Sequence, residues 1–219
     1  MDKLRLRYEQ TGRAVWCSHL DTMRTMQRAL NRADVPIRYS EGFNPHALLS
    51  ILMPLSVGTE SLCQLADIRV REEVDIISLP ERLTAVLPEG FRVTECYEEG
   101  IMKPAALKWM RVEGRWEYDT TDPVRAAEAC RELFAGKVEV LRRTKRGEGM
   151  FTLTEHIRDL SFTPEDGAVK LSLIVSAAEP VVNPELLTAA VTQYIPAWKP
   201  DGGRFCRMAL FTAEGKPYK

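Results

Sequence analysis

The sequence has few cysteines and none of the close spacings that metal and redox sites need. The five cysteines are odd in number, and no two of them form a CxxC pair. Zinc ribbons and iron–sulfur clusters require such closely spaced ligands, so the sequence excludes both classes of site. A scattered set is typical of buried thiols in a reducing compartment, and we expect no metal and no cofactor. The cysteines are Cys17, Cys63, Cys96, Cys130 and Cys206.

The motifs of common nucleotide-binding and hydrolytic enzymes are also missing. There is no P-loop, no GxGxxG between a strand and a helix, no GxSxG and no HExxH. Cys17, His19 and His46 offer ligand types that suit zinc, but their spacing matches no established site. The residues alone therefore do not reveal a reaction.

Long apolar runs and an excess of charge are missing too. The longest apolar run, 47–55, is far shorter than the roughly 18 residues that span a bilayer. Residues 1–7 alternate leucine with charged residues and contain no apolar signal segment, so we expect a cytoplasmic protein without a membrane partner. The formal net charge is −1, so any nucleic-acid site must be a local basic patch.

What is present is a globular composition with clear periodicity. The chain of 219 residues is 45% hydrophobic and 28% charged, enough for one large domain or two smaller ones. Alternating and helical spacings predict two successive units of roughly the order β-α-β-β-α-β, each with one additional short strand after its first helix. Strands are predicted at 4–8, 37–39, 48–55, 62–71, 91–97, 107–118, 138–141, 152–161, 169–175 and 205–212. Helices are predicted at 20–30, 76–87, 123–135 and 184–195.

This element order predicts an α+β fold of two tandem ferredoxin-like halves. The halves are 1–100 and 101–219, with their boundary in the stretch 98–104. In the second half, we expect Trp109 and Trp116 to face the core.

The first candidate site is the helix start Ser18-His19-Leu20-Asp21. A helix N-terminus presents unpaired N–H groups that suit an anion, and His19 can donate or accept a proton. The alternative is structural, because Ser18 and Asp21 have the spacing of a capping box.

The second candidate site is the segment 39–46, a loop by its Gly, Asn and Pro content. Tyr39 and Phe43 can stack on bases, and Asn44 can contact a base edge. Gly42 and His46 complete the predicted recognition surface. The alternative is a structural turn in which Phe43 fills the core.

The third candidate site is a basic loop in the second half, where Arg142, Arg143, Lys145 and Arg146 occupy four of five positions. Runs of this kind contact phosphates. A solvated hairpin tip has the same composition, so both interpretations stay open.

The first 60 residues resemble one known family. The matching residues are Leu4-Arg5-Leu6-Arg7-Tyr8, Gly12, Ser18-His19-Leu20-Asp21, Arg28-Ala29-Leu30, Arg32-Ala33, Pro36, Tyr39-Ser40, Gly42-Phe43-Asn44-Pro45-His46, Pro54-Leu55 and Gly58. They are similar to the radical-SAM-linked protein family, a domain of unknown function fused to, or encoded beside, a radical SAM protein in many bacteria. The resemblance implies a radical SAM enzyme on a separate chain as partner. The family's association with genes of RNA processing and the ribosome implies RNA as the substrate class.

These observations lead to three hypotheses. The first is an accessory protein that binds RNA, and a radical SAM partner, through the helix start and the 39–46 loop. The second is an RNA-acting enzyme in which His19 and His46 share general acid–base catalysis, which requires both to reach one substrate atom. The third is a pure protein-interaction module with an apolar surface patch and no affinity for nucleic acid.

Overall fold

The computed structural model describes residues 2–144 and 147–219, and for 143 and 144 it describes the backbone alone. The chain divides into two compact units, one that ends at Ala106 and includes Pro217–Lys219, and one that spans Leu107–Lys216. Both combine helices with antiparallel strands, so the α+β class is confirmed. None of the four α-helices in the described residues has the length and apolar character to cross a membrane.

The first unit has the element order β-α-β-β-α-β. Its elements are β1 (Lys3–Gln10), α1 (His19–Arg32), β2 (Leu49–Leu52), β3 (Glu60–Arg69), α2 (Leu79–Val86) and β4 (Phe91–Tyr97). The strands form an antiparallel sheet in the order β4-β1-β3-β2. The alternation of β1 places Leu4, Leu6 and Tyr8 on one face, where they are buried in a core with Met26 and Leu30 of α1.

The second unit repeats this order with a hairpin inserted after its first helix. Its elements are β5 (Trp109–Glu117), α3 (Pro123–Ala135), β6 (Glu139–Thr144), β7 (Gly147–Thr152), β8 (Ile157–Glu165), β9 (Ala168–Ser176), α4 (Glu185–Tyr194) and β10 (Gly202–Phe211). Four strands pair in the order β10-β5-β9-β8, and β6 pairs with β7 in a separate two-stranded sheet.

The two tryptophans of β5 lie on opposite faces of the strand. Trp116 is fully buried, and its Nε1 donates a hydrogen bond of 3.1 Å to Thr188 of α4. Trp109 is only half-buried and does not belong to this core, so the prediction for it was wrong. The seven-residue spacing explains the difference, because positions an odd number apart point to opposite faces of a strand.

Three other predicted segments differ from the structure. The predicted strand 152–161 is interrupted by a 3₁₀ turn at Leu153–His156, in which Leu153 is fully buried. In the predicted basic loop 142–149, residues 142–144 and 147–149 instead belong to the paired strands β6 and β7, and 145 and 146 lie outside the described residues. Cross-strand pairing overrides the loop signal of Gly147 and Gly149. At 37–39 the backbone forms only isolated bridges.

Candidate functional site

The start of α1 is a complete capping box. The Ser18 hydroxyl oxygen accepts from the backbone N–H of Asp21 at 3.2 Å, and Asp21 accepts from the N–H of Ser18 at 3.2 Å. The Ser18 hydroxyl also donates to Asp21 at 2.6 Å. These hydrogen bonds, the side-chain one first, hold the pKa of Asp21 below its ordinary value. Both side chains are therefore engaged in holding the helix end.

His19 lies next to this cap but has little room for a ligand. Its side chain is exposed and lines a narrow cleft together with Gln10, Thr22 and Gln64. The cleft has a volume of about 10 Å³, which is about the space of one water molecule. The helix start therefore offers a donor or acceptor at the surface and no enclosed binding pocket.

The second candidate segment forms a closed loop, which we call the 39–47 loop. Tyr39 and Ala47 form an antiparallel bridge, and the N–H of Ser40 donates to the carbonyl of His46 at 2.8 Å. The Ser40 hydroxyl accepts from the N–H of His46 at 3.1 Å and lies 2.8 Å from its Nδ1. With Nδ1 engaged in that hydrogen bond, Nε2 is the ring nitrogen left for a ligand. The Tyr39 hydroxyl donates to Asn31 at 3.4 Å, which ties the loop to the last turn of α1.

The tip of the 39–47 loop presents a bare aromatic ring. Phe43 has a relative exposure of 112%, and Asn44 beside it is also exposed. The alternative in which Phe43 fills the core is therefore wrong. Gly42 has φ +119°, a conformation that side-chain-bearing residues rarely adopt, so glycine is required for this turn. The loop thus holds an apolar ring in water at a position fixed by its closed base.

His46 also lines a groove of about 650 Å³ beside the loop, which we call the 46–50 groove because residues 46–50 form one of its walls. Lys3, Arg38 and Arg69 contribute three cations to it, against the carboxylates of Asp2 and Asp67. Asp2 pairs with Arg69 at 2.6 Å and with Arg38 at 3.4 Å. Lys3 pairs with Asp67 at 2.9 Å, so each of the three cations takes part in an ion pair. Within the described lining residues the cations outnumber the carboxylates by three to two, which is a small local excess of positive charge on a chain of net charge −1.

The structure brings the 39–47 loop and the groove together but separates them from the helix start. His19 is in the first turn of α1, whereas Asn31, to which the loop is tied, is twelve residues further on, about 18 Å along the axis. The cleft of His19 lies at the Gln10 end of β1, and the groove of His46 lies at the Lys3 end. His19 and His46 thus line different cavities, an arrangement that does not favour a shared proton-transfer site.

The third candidate site is described only in part. Arg142 lies over the ring of Phe151, with its guanidinium carbon 4.9 Å from the ring centroid, and donates to the carbonyl of Val181 at 2.8 Å. Phe151 in turn stacks on His156 at 4.8 Å. These contacts give Arg142 a structural position in the β6–β7 hairpin. The side chain of Arg143, and Lys145 and Arg146 altogether, lie outside the described residues.

The described residues contain no cluster of three His, Cys, Asp or Glu side chains arranged to hold a metal ion. Burial raises the pKa of Cys96 to about 11 and that of Cys130 to about 12, so these two thiols are protonated and unreactive near neutral pH.

Comparison with protein families now decides where the chain belongs. The family described as "Uncharacterized protein conserved in bacteria (DUF2344)" matches residues 3–184, which is most of the chain. The chain belongs to the DUF2344 family. No curated protein matches this DUF2344 chain significantly. Among solved structures it is similar to the crystal structure of an unknown protein from Galdieria sulphuraria, with 11% identity over 97% of this chain and 98% of that chain. The TM-score is 0.26, which carries no argument about fold or function.

One residue of the DUF2344 chain was not identified from the sequence as important. Arg5 is in the charged register of β1, yet its side chain is completely buried. It donates two hydrogen bonds to Asp67, at 2.5 and 2.9 Å, and one each to the carbonyls of Met102 and Lys219. Tyr218 accepts a further hydrogen bond from it at 3.3 Å.

The partners of Arg5 explain why sequence patterns miss it. Asp67, Met102 and Lys219 are at least 62 residues away in sequence, so the alternation within β1 carries no information about them. Asp67 accepts the hydrogen bonds of Arg5 and also lines the 46–50 groove. The buried Arg5 therefore fixes the part of β3 that forms this groove.

Proposed function

We propose that this DUF2344 chain is an accessory RNA-binding protein that works with a radical SAM enzyme on a separate chain, in RNA modification or processing. The observation that carries the RNA part is the exposed ring of Phe43 on a closed loop beside a groove in which three cations face two carboxylates. Covering an exposed aromatic ring is favourable in water, and a nucleobase is a partner of matching shape.

The groove supplies the second half of the proposed interface. A base stacked on Phe43 leaves its phosphates to contact nearby cations, and Arg38 and Arg69 are half-exposed and line the groove. Asn44 is next to Phe43 and offers an amide for a base edge, and His46 offers Nε2 to a phosphate or base. Single-stranded RNA fits this surface better than a duplex, because only unstacked bases can reach an aromatic ring.

We also infer that both units are ferredoxin-like halves. Each has the element order β-α-β-β-α-β, apart from the inserted hairpin, and an antiparallel sheet in the order fourth, first, third, second strand. The radical SAM partner and a cytoplasmic location are further parts of the proposal. The partner is supported by the resemblance of the first 60 residues, and a reducing compartment by the free cysteines.

The first test compares Phe43→Ser with Ile77→Ser in equilibrium binding of the full chain to single-stranded RNA. Ile77 is a matched control because it is 89% exposed in the same unit and outside the 46–50 groove. We predict that Phe43→Ser weakens RNA binding about tenfold, the loss of one base stack. Ile77→Ser should bind like the wild type. Equal binding by both variants and the wild type contradicts a role for Phe43.

The same assay, run over a salt series, addresses the groove. Arg38→Gln should reduce the slope of log affinity against log salt by about 0.7, the value for one phosphate contact on a single strand. His46→Ala should weaken binding, whereas His19→Ala, at the other end of α1, should not. An equal loss in both histidine variants would contradict the separation of the two sites.

A second candidate function, a protein-interaction module, is favoured by one specific observation. Trp16, Leu20 and Val57 are exposed apolar side chains around the start of α1, and Trp16 lies against Gly58. If the chain is only a protein partner, purified protein will not bind RNA even at low salt. Substitution of Trp16 by Ser would then abolish capture of the radical SAM enzyme.

A further inference from the structure

The second unit has a pocket that none of the sequence motifs indicated. It has a volume of about 380 Å³, and the residues that form it come from β5, β8, β9 and the segment at and after the end of β10. The residues that carry the argument are Trp109, Arg111, Arg158, Ile174, Phe211 and Glu214.

Strand register explains why these side chains meet. Ile174 of β9 is opposite Arg111 on one side and opposite Arg158 on the other, so the three side chains form one row across three strands. Trp109 is two residues before Arg111, on the same face, and opposite Phe211. The other face of these strands carries the buried core, so this row lies on the open face of the sheet.

The centre of the pocket is a stacked pair. The guanidinium carbon of Arg158 is 3.7 Å from the centroid of the Trp109 ring, the distance of a close cation–π contact. Within the described part of the chain, the side chains of Arg158 and Arg111 have no ion-pair or hydrogen-bond partner. Arg158 is exposed, so the tryptophan holds one face of the guanidinium plane while the other face stays open to a ligand.

The backbone of β8 is shaped to hold this pair. Its register with β9 shifts between Arg158 and Ser161, and Asp159 within that bulge has φ +50°. Bulges re-aim side chains, and strained non-glycine residues of this kind cluster at binding sites. The bulge therefore helps to set the direction of the Arg158 side chain that stacks on Trp109.

We propose that this pocket binds a nucleotide, with the base stacked on the outer face of the Arg158–Trp109 pair and the phosphate bound by Arg111. Guanidinium planes are established stacking surfaces for bases, and Arg matches phosphate with a fork of donors. Ile174 and Phe211 supply apolar side chains to the lining of the pocket. The carboxylates of Asp159 and Glu214 border the pocket, and they favour a base with amino or ring N–H donors over a plain anion.

The site goes beyond the proposed function, because it lies in the other unit and uses none of the residues of the 39–47 loop. Its ligand has two sources with the same chemistry, a free nucleotide or a nucleotide within single-stranded RNA. The test therefore measures binding of the full chain to the four ribonucleoside 5′-monophosphates and to the four homohexaribonucleotides. Binding of the monophosphates that Arg158→Lys weakens supports a free nucleotide, and binding of the hexamers alone that Arg158→Lys weakens supports a strand.

The decisive variant is Arg158→Lys, which keeps the positive charge and removes the planar stacking surface. Arg204→Lys is the matched control, because Arg204 is an exposed arginine on β10 outside the pocket. We expect Arg158→Lys to weaken binding of the preferred probe about tenfold, and Arg204→Lys to leave it unchanged. A loss of monophosphate binding in Arg158→Lys assigns that binding to this pocket, whereas a loss in Phe43→Ser assigns it to the 39–47 loop, so failure of one site is distinguished from failure of the other.

Two results overturn the proposal. One is no binding of any monophosphate or hexamer at millimolar concentration. The other is an equal effect of Arg158→Lys and Arg204→Lys, which means that only surface charge is involved. Thermal unfolding of each variant shows whether a loss of binding comes from a loss of folding. A change in tryptophan fluorescence on titration that is absent in a Trp109→Phe variant shows that the ligand binds at this pocket.

Discussion

At the scale of single residues, the buried pair of Arg5 and Asp67 has the largest predicted effect on stability. Arg5 is fully buried, and Asp67→Asn removes the only side-chain carboxylate that accepts hydrogen bonds from it among the described residues. We predict that this variant lowers the free energy of unfolding by about 3 kcal/mol, the usual result when a buried charge loses its partner. Denaturant unfolding measures the loss.

The control for that prediction is a pair whose arginine is exposed, with a carboxylate about as accessible as that of Asp67. Glu9 accepts two hydrogen bonds of 2.9 Å from Arg92, whose side chain is in water, so Glu9→Gln should cost less than about 1 kcal/mol. A cost for Asp67→Asn no larger than that of Glu9→Gln would contradict the structural importance of the buried pair.

The same pair predicts the effect of acid. Burial by itself raises the pKa of Asp67, but hydrogen bonds from Arg5 and Lys3 outweigh burial, and the pKa lies below its ordinary value. A lowered pKa in the folded state stabilises the protein above the unfolded value near pH 4, and this stabilisation is lost as the pH falls through the folded value. Unfolding midpoints measured below pH about 4 should therefore fall more steeply for the wild type than for Asp67→Asn.

At the scale of elements, substitutions at the start of α1 distinguish a structural role of Ser18 from a role in binding RNA. Ser18→Ala removes the cap and should lower the free energy of unfolding by about 1 kcal/mol. Ser56→Ala is the control, because this exposed serine is not part of a helix cap, and it should be neutral. RNA binding should survive in both variants. Loss of RNA binding in Ser18→Ala without loss of stability would instead indicate a direct contact.

The elements whose signals are local were predictable from the sequence. Ser18 and Asp21 have capping spacing, Asp122 and Pro123 begin α3, and the alternation of β1 marks a strand, all within a few residues. Elements that depend on distant partners were not predictable in the same way. The hairpin of β6 and β7 contains loop-forming glycines, and only its cross-strand pairs make it a sheet.

At the scale of the whole molecule, the candidate sites also divide into features with local sequence signals and features that depend on distant parts of the chain. The sequence predicted a loop at 39–46 from its Gly, Asn and Pro content, and the structure has a closed loop there with Phe43 exposed. The binding roles of Phe43 and His46 stay predictions. The separation of His19 from His46 was not visible in the sequence, because it depends on the length and direction of α1 between them. The pocket at Trp109 and Arg158 depends on register across three strands, which single-sequence patterns do not specify.

The central claim is that the 39–47 loop and the 46–50 groove contact RNA. The most direct measurement is photo-crosslinking of the full wild-type chain to single-stranded RNA containing 4-thiouridine, with the crosslinked peptides identified by mass spectrometry. We predict crosslinks at Phe43 or at the groove residues 46–50. Phe43→Ser should remove the crosslinks at position 43. Crosslinks confined to peptides outside the loop and the groove would contradict the account.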